Sequence, residues 1–344
     1  MTSVIFASEG REAFGHDELA HLKRLADADP ERCSRYCLHQ GDDDPVQEMV
    51  IVMCHESEIA PHRERDKRKA YYVLEGALSV EFYDDAARPV ERIDMGTPGS
   101  GRPFVYRFDA DDWHTVIPQT EYVVFVETIE GPFDAHRTKW FPGQRNSVRP
   151  VAKPAAVQVS VKPPFPLRCE PTARSLTYFA ASEPVEITRE VISWLIGESE
   201  RIGERTVRIC MHQDPSDELH QMIVVQPYGN YFPPHRHPEK GEALHVIEGR
   251  MAFVTFNDDG SVLRSTILGP KDAPIARCGV AQWHAVIPLS ARAVYYEAKP
   301  GPYLGSGDSM FAEWAPQSES PEAETYLKRL YQTIAVNDAR PAGR

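Results

Sequence analysis

The stretch Gly229-Asn-Tyr-Phe-Pro-Pro-His-Arg-His-Pro-Glu-Lys-Gly-Glu-Ala-Leu-His-Val-Ile-Glu-Gly249 decides how the rest of this chain is interpreted. His235 and His237 are two residues apart, so both imidazoles would project from one face of an extended strand. Glu242 follows after a short turn, and another histidine, His284, lies further on in Gln-Trp-His. Three imidazoles and a carboxylate that can converge outline a site for a first-row divalent metal.

Much of this stretch also occurs in the first half of the chain, in the same order and at a nearly constant offset. The offset is the same for every match up to Gly249 and slightly shorter afterwards, and the change falls where a loop can vary in length cheaply. Matches in register over such a distance predict one structural unit present twice. The paired segments are Cys37-Leu-His-Gln40 with Cys210-Met-His-Gln213, Pro61-His-Arg63 with Pro234-His-Arg236, Val73-Leu-Glu-Gly76 with Val246-Ile-Glu-Gly249, and Trp113-His-Thr-Val-Ile-Pro118 with Trp283-His-Ala-Val-Ile-Pro288.

Short runs of β-branched and aromatic residues, separated by Gly, Pro and Asp-Asp turns, fill both copies. Many short strands with regular turns are typical of a closed β-barrel or a jelly roll. We therefore expect an all-β fold of two tandem jelly-roll β-barrels with short flanking helices. The expected strands include Glu48–Cys54, Tyr71–Phe82, Tyr122–Glu127, Met222–Pro227, Met251–Phe256 and Ala293–Glu297, and the expected helices are Asp17–Ala28, Thr188–Gly197 and Pro321–Ala335.

The same patterns predict four segments along the chain. Residues 1–140 would form the N-terminal barrel and residues 174–305 the C-terminal barrel. Residues 141–173 are rich in proline and predict an extended linker. Residues 306–344 would form a helical tail, in which Tyr326, Leu327, Leu330, Tyr331 and Ile334 make one apolar stripe that packs on a sheet or on a second subunit.

The composition of the chain limits its possible partners and its cellular location. The 344 residues carry a formal net charge of -13 at pH 7, which argues against a nucleic-acid partner and an anionic membrane surface. No apolar run approaches the ~18 residues of a membrane span, and the N-terminus does not look like a secretory signal. Six cysteines without a Cys-x-x-Cys pair indicate reduced thiols and a cytoplasmic location.

The motif Gly229-x5-His235-x-His237-x4-Glu242-x6-Gly249 resembles the first signature of the cupin superfamily, and Cys278-Gly279 through Trp283-His284 resembles the second. More narrowly, Cys-Leu-His-Gln, Pro-His-Arg-His, Val-Ile-Glu-Gly and Trp-His-x-Val-Ile-Pro are similar to the WbuC family of small cupin metalloproteins. The resemblance covers roughly residues 1–140 and 174–305. It implies that His235, His237, Glu242 and His284 bind one metal ion inside the barrel.

Imidazole and carboxylate ligands without thiolate suit Fe(II), Mn(II), Ni(II), Co(II) or Zn(II). We favour Fe(II), because dioxygen activation at iron is common among cupins. The sequence predicts no organic cofactor and does not identify catalytic residues. Glu242 could also accept a proton if its bond to the metal were weak.

The N-terminal copy has a degenerate form of the same site. Its equivalent residues are His62, Glu64, Lys69 and His114. A protonated ammonium has no lone pair and repels a dication, so Lys69 argues against a metal. We expect this copy to be structural, with a Lys69–Glu64 ion pair in the old site; binding by His62, Glu64 and His114 alone stays an alternative.

Other polar residues are candidates for a substrate pocket. We name Arg208, His212, Gln282 and Trp283 for this role. Arg208, His212 and Trp283 also occur in the N-terminal copy as Arg35, His39 and Trp113, which favours a structural role for them. His245 should face the opposite side of its strand and pack in the core.

Three functions are compatible with these observations. The first is a metal-dependent enzyme, most simply an Fe(II)-dependent (di)oxygenase acting on a small polar molecule. The second is a non-redox isomerase, epimerase or lyase acting on a sugar or a small acid. The third is a non-catalytic module that binds a metal or ligand. A homodimer is compatible with each of them.

Overall fold

The computed structural model describes residues 4–7, 13–141, 165–170 and 175–338, so most of the expected linker lies outside the described residues. Within these ranges strands dominate and form four sheets. The helices begin and end within a few residues of the predicted positions: α1 (His16–Ala28), α2 (Arg189–Arg201) and α3 (Ala323–Asp338). None of the helices in the described part of the chain is long and apolar enough to cross a membrane.

Twenty-five strands are described, and most of them fall into two parallel series. The strands of the first series are β1 (Val4–Phe6), β2 (Ala13–Phe14), β3 (Cys33–Cys37), β4 (Val46–Cys54), β5 (His62–Glu64), β6 (Arg68–Glu75), β7 (Ala77–Tyr83), β8 (Pro89–Gly96), β9 (Val105–Asp109), β10 (Trp113–Pro118), β11 (Tyr122–Glu130) and β12 (Thr138–Trp140). Those of the second are β13 (Leu167–Glu170), β14 (Leu176–Ala180), β15 (Val185–Ile187), β16 (Val207–Cys210), β17 (Leu219–Pro227), β18 (His235–Arg236), β19 (Glu242–Glu248), β20 (Met251–Phe256), β21 (Val262–Leu268), β22 (Ile275–Cys278), β23 (Trp283–Pro288), β24 (Arg292–Pro300) and β25 (Met310–Phe311).

The chain divides into two units, each built on two sheets. The first unit contains a seven-stranded sheet in the order β1-β3-β4-β11-β6-β9-β15 and a five-stranded sheet in the order β12-β5-β10-β7-β8. The second contains an eight-stranded sheet in the order β13-β14-β16-β17-β24-β19-β22-β2 and a five-stranded sheet in the order β21-β20-β23-β18-β25. Equivalent strands hold equivalent places in the two units, which confirms the tandem all-β prediction.

The inner faces of the two sheets in each unit form a core. In the C-terminal unit, Met222, Leu244 and Tyr295 belong to one buried cluster. Because side chains alternate along a strand, Glu242 faces the same interior as Leu244. The strand pattern therefore carries the predicted metal ligands into the barrel, where water is scarce.

One expected strand is divided in two. The run Tyr71–Phe82 contains Gly76, which has a φ of 75° and separates β6 from β7. A Cβ atom at Gly76 would lie 2.3 Å from the carbonyl oxygen of Tyr122. Only glycine fits both the left-handed backbone and this close approach, and Gly249 meets the same two conditions in the second unit.

The apolar stripe of the C-terminal tail packs on a sheet, which is one of the two arrangements expected from the sequence. Leu327, Leu330 and Ile334 of α3 are buried in one cluster with Val254 of β20 and Ile287 of β23. Val254 alternates with inward-facing neighbours, so α3 covers the outer face of this sheet. The tail is therefore an integral layer of the C-terminal unit.

A matched pair of glycine substitutions tests the packing of the turns. A Cβ atom at Gly131 would lie 1.9 Å from the carbonyl oxygen of Asp44, whereas one at Gly197, within α2, has no neighbour within 4 Å. We expect Gly131→Ala to lower the free energy of unfolding by about 3 kcal/mol. Gly197→Ala should raise it by up to about 1 kcal/mol, because alanine favours helix. Denaturant titrations measure both, and equal stability of the two variants would contradict this account.

Candidate metal centre

The candidate metal centre lies where β18, β19 and β23 meet inside the C-terminal barrel. His235 of β18 pairs directly with His284 of β23 in antiparallel register. His237 follows β18, and Glu242 is the first residue of β19. Three strands thus bring the four predicted ligands together, although β18 is too short to carry both His235 and His237.

The four side chains offer ligand atoms that all lie within 4.8 Å of one another. Glu242 stands between two of the imidazoles: its Oε1 is 2.8 Å from His284 Nε2 and its Oε2 is 3.2 Å from His237 Nε2. His237, Glu242 and His284 are buried. Such a cluster of nitrogen and carboxylate donors has the size and composition of a mononuclear site.

The hydrogen bonds of the imidazoles fit a metal. Each ring has its Nδ1 atom against a backbone carbonyl, an arrangement that places the proton on Nδ1 and the lone pair on Nε2. Within the described residues, the buried Nε2 atoms of His237 and His284 make no hydrogen bond of acceptable geometry. A divalent ion would satisfy these lone pairs. The carbonyl partners are Pro233 for His235 at 3.2 Å, Asp308 for His237 at 2.6 Å and Gln282 for His284 at 2.9 Å.

Burial and neighbouring charges shift the pKa values of the candidate ligands. Burial, together with the nearby His284 charge, lowers the pKa of His235 well below its usual value, so this imidazole is neutral. Burial alone would raise the pKa of Glu242, but the His284 and His237 imidazoles hold it well below the usual value. Burial alone would lower the pKa of His284, but Cys278 and Glu242 outweigh burial and raise it. A dication would take the place of the proton that His284 then carries.

The orientation of His237 depends on a residue that sequence reasoning missed. The Asp308 carbonyl accepts from its Nδ1, and the buried Asp308 carboxylate is hydrogen-bonded to the Lys240 ammonium. Lys240 also donates to the carbonyl of Pro302 at 2.5 Å. Lys67 binds the carbonyl of Pro132 in the same manner, and Lys67 and Lys240 are equivalent positions of the repeat. This conserved spacing was the signal that could have revealed the arrangement.

The degenerate site of the N-terminal barrel contains its own cation. His62, Glu64 and His114 converge with ligand atoms within 4.8 Å of one another. The Lys69 ammonium, only 1% exposed, lies 2.7 Å from Glu64 Oε1 and 3.6 Å from Glu127 Oε1. The expected Lys69–Glu64 ion pair is therefore present. Burial alone would lower the pKa of Lys69, but Glu127 and Glu64 raise it, which keeps the ammonium charged.

Aromatic rings fill the N-terminal barrel around this pair. Phe108 lies 4.9 Å from the His114 ring and 5.6 Å from the Tyr71 ring, measured between centroids. The equivalent inward positions of the C-terminal barrel, beside its candidate metal ligands, carry smaller side chains. The replacements are Tyr71 by Leu244, Phe82 by Thr255, Tyr106 by Ala276 and Phe108 by Cys278.

The four candidate pocket residues lie in different surroundings. Trp283 alternates with His284 and so faces outward, where its indole donates to Asp258 and lies 4.4 Å from the Arg236 guanidinium. Gln282 donates to the carbonyls of Phe256 and Trp283.

His212 and Arg208 lie in surroundings different from those of Trp283 and Gln282. The buried His212 bonds the backbone of Gln221 and stacks on His220 at 4.0 Å. Arg208 lies on the inward face of β16, opposite Val224 of the buried cluster.

Two further inward residues were missed. Lys299 and Glu297 of β24 face the interior, with Nζ 3.2 Å from Oε1. Ile129 occupies the place of Lys299 in the N-terminal copy, and this difference between the copies was the signal that could have revealed it. His245, in contrast, packs against Tyr296 at 5.1 Å on the other face of its strand, as expected.

Comparison of the sequence with known families finds the same duplication. The family described as "Domain of unknown function (DUF6016)" matches residues 14–95 and again residues 187–268, two spans separated by the offset of the repeat. A germin-like protein, subfamily 1 member 3, of Arabidopsis thaliana is 36% identical over 92 residues, which are 26% of this chain. The match spans 40% of the length of that relative.

Solved structures share the architecture over most of the chain. Salicylate 1,2-dioxygenase from Pseudoaminobacter salicylatoxidans, in adducts with gentisate, superposes with a TM-score of 0.57 at 12% identity, covering 87% of this chain and 84% of the other. A mutant of that enzyme in complex with gentisate gives 0.56 at 13% identity, covering 88% and 86%. At such identities the likeness concerns the fold alone. The chain therefore has the bicupin fold, two cupin jelly-roll barrels in tandem.

Proposed function

We propose that this protein is a metal-dependent cupin enzyme whose single metal site is in the C-terminal barrel. The observation that carries the proposal is the convergence of His235, His237, Glu242 and His284, in which the Nε2 atoms of His237 and His284 are buried without a hydrogen bond among the described residues. Four such ligands leave one or two positions on a first-row metal for a small molecule. The resemblance of the sequence to WbuC cupins also implies a bound metal ion, but it does not imply a particular reaction.

Within this proposal each residue has a definite task. The bound metal would polarise a substrate oxygen or, as Fe(II), support reaction with dioxygen. The backbone carbonyls that accept from the three Nδ1 atoms keep the imidazoles in the ligating tautomer. Buried Met222, Leu244 and Phe253 exclude water from the inner side.

We favour dioxygenase chemistry with Fe(II), because a salicylate dioxygenase shares the fold over most of both chains. Non-redox isomerase, epimerase or lyase chemistry at Mn(II), Ni(II), Co(II) or Zn(II) is the second candidate, since the ligand set suits these metals equally. The substrate would be a small molecule held inside the barrel. The N-terminal barrel is the structural partner, because Lys69 occupies the position of the ligating carboxylate.

The metal content of purified variants tests the location of the site. We expect about one metal per chain in the wild-type protein and almost none in His235→Ala or His284→Ala, because each removes a nitrogen ligand. Elemental analysis measures this ratio and identifies the metal. The matched variants His62→Ala and His114→Ala should keep about one metal per chain, and a wild-type ratio near two would refute a silent N-terminal barrel.

Removal of Lys69 tests its structural role. Lys69→Met leaves Glu64 and Glu127 without their buried cation, so we expect a loss of about 3–5 kcal/mol in the free energy of unfolding. Lys139→Met, at an exposed lysine of the same copy, should change stability by less than about 0.5 kcal/mol. Denaturant titration compares the two variants, and similar stabilities would contradict the role assigned to Lys69.

Nitric oxide separates the redox and non-redox alternatives. Protein loaded with Fe(II) should bind nitric oxide, a stable stand-in for dioxygen, if the iron has an open position. The electron paramagnetic resonance spectrum should then show a new iron signal in the wild type and none in His237→Ala. Failure of the wild-type iron protein to give the signal would favour non-redox chemistry.

A further inference from the structure

The interior of the C-terminal barrel contains a lysine next to the metal centre. Ala298 of β24 pairs with Ala243 of β19, so the adjacent positions, Lys299 and Glu242, are cross-strand neighbours. The Lys299 side chain is only 12% exposed, and its Nζ lies 3.2 Å from Glu297 Oε1. The ammonium is also within electrostatic reach of Glu242 and Asp308. A buried ammonium therefore faces the space beside the metal ligands.

Two further polar groups face the same space without a partner. Arg208 is in electrostatic reach of Lys299 and Tyr295, and its buried Nε has no hydrogen-bond partner among the described residues. Thr255 pairs with His284 across the sheet, and its buried hydroxyl has no partner in the described ranges either. Leaving a buried donor unsatisfied costs about 1–3 kcal/mol. A ligand with acceptor oxygens would satisfy both groups.

The charged residues inside the two barrels indicate the sign of the charge that such a ligand would carry. In the N-terminal barrel, inward-facing Arg35 and Lys69 balance Glu64 and Glu127. In the C-terminal barrel, Arg208 and Lys299 already balance Glu242 and Glu297 before any metal is bound.

A divalent ion therefore brings positive charge that nothing in this set compensates. Uncompensated charge in a poorly solvated interior is costly, so an anion should accompany the metal.

The side chains beside the candidate ligands of the C-terminal barrel are smaller than their counterparts in the N-terminal barrel. Phe82 packs 6.3 Å from the His114 ring in the N-terminal barrel, and the equivalent residue beside His284 is Thr255. Phe108, 4.9 Å from His114, is replaced by Cys278. Smaller side chains, unpaired donors and excess positive charge thus occur together around the ligand cluster.

We propose that the C-terminal barrel binds a small anionic, carboxylate-bearing ligand that bridges the metal and the Lys299 ammonium, with Arg208 and Thr255 as further donors. The inference rests on the proposed metal site and specifies its substrate class. Lys299 and Arg208 are then the residues that select an acid over its neutral analogue.

Malonate and its neutral diamide, malonamide, are suitable probes for calorimetric titration of the metal-loaded protein. We expect the wild type to prefer malonate, and Lys299→Met to bind it about tenfold more weakly, because a charge-assisted hydrogen bond is lost. Arg208→Met should behave likewise. Glu297→Gln should bind malonate more tightly, since it removes a competing negative charge. A purely structural role would not give opposite signs in Lys299→Met and Glu297→Gln.

Controls separate this inference from the metal site itself. Metal content is measured first on every variant, and Lys271→Met, at an exposed lysine, should match the wild type in malonate affinity. Lys299→Arg keeps the charge and should retain the preference even if Lys299→Met fails to fold.

A protein without metal would refute the proposed function. A metal-loaded protein that binds both probes equally, or metal-free protein that binds malonate as tightly as loaded protein, would refute only the anion inference.

Discussion

Each barrel buries carboxylates, and a buried carboxylate needs a cation close to it. This requirement shapes both copies. In the N-terminal barrel the cation is part of the chain, because the Lys69 ammonium lies between Glu64 and Glu127. In the C-terminal barrel Glu242 occupies the position of Lys69. The equivalent of Glu127 is Glu297, and its lysine partner is Lys299 of the same strand, β24. That exchange places a carboxylate, instead of an ammonium, among His235, His237 and His284.

The two interiors follow from this difference. A barrel with a tethered cation needs no access for ions or substrates, and Tyr71, Phe82 and Phe108 pack its interior with rings about 5–6 Å apart. The C-terminal barrel, for which we propose a metal and a small-molecule ligand, is not filled in this way. Its equivalent residues, Leu244, Thr255 and Cys278, are smaller. The two copies therefore differ in their interiors: aromatic rings pack the N-terminal one, and smaller side chains surround the candidate ligands of the C-terminal one.

The features that local spacing determines were readable from the sequence. The repeat, the ligand set from His235 to His284 and the charge change at Lys69 need only the order of residues along the chain. The features that depend on strand pairing were not readable. The proximity of Lys299 to Glu242 follows from the register of β24 and β19, and the support of His237 by Asp308 joins residues 71 positions apart. The division of the run Tyr71–Phe82 at Gly76 was missed because apolar periodicity continues across it.

The contact between Asp308 and His237 also bears on how the protein is made. His237 leaves the ribosome well before Asp308, so its imidazole lacks its carbonyl partner until the following segment has been synthesised. The strand β25, which pairs with β18 beside His235, arrives at the same late stage. The candidate metal centre of the C-terminal barrel can therefore reach the geometry described above only after Asp308 has been synthesised. If the proposed metal binds there, its capture in this geometry would follow the synthesis of Asp308, and a nascent chain cut short before Asp308 would hold the ion less firmly.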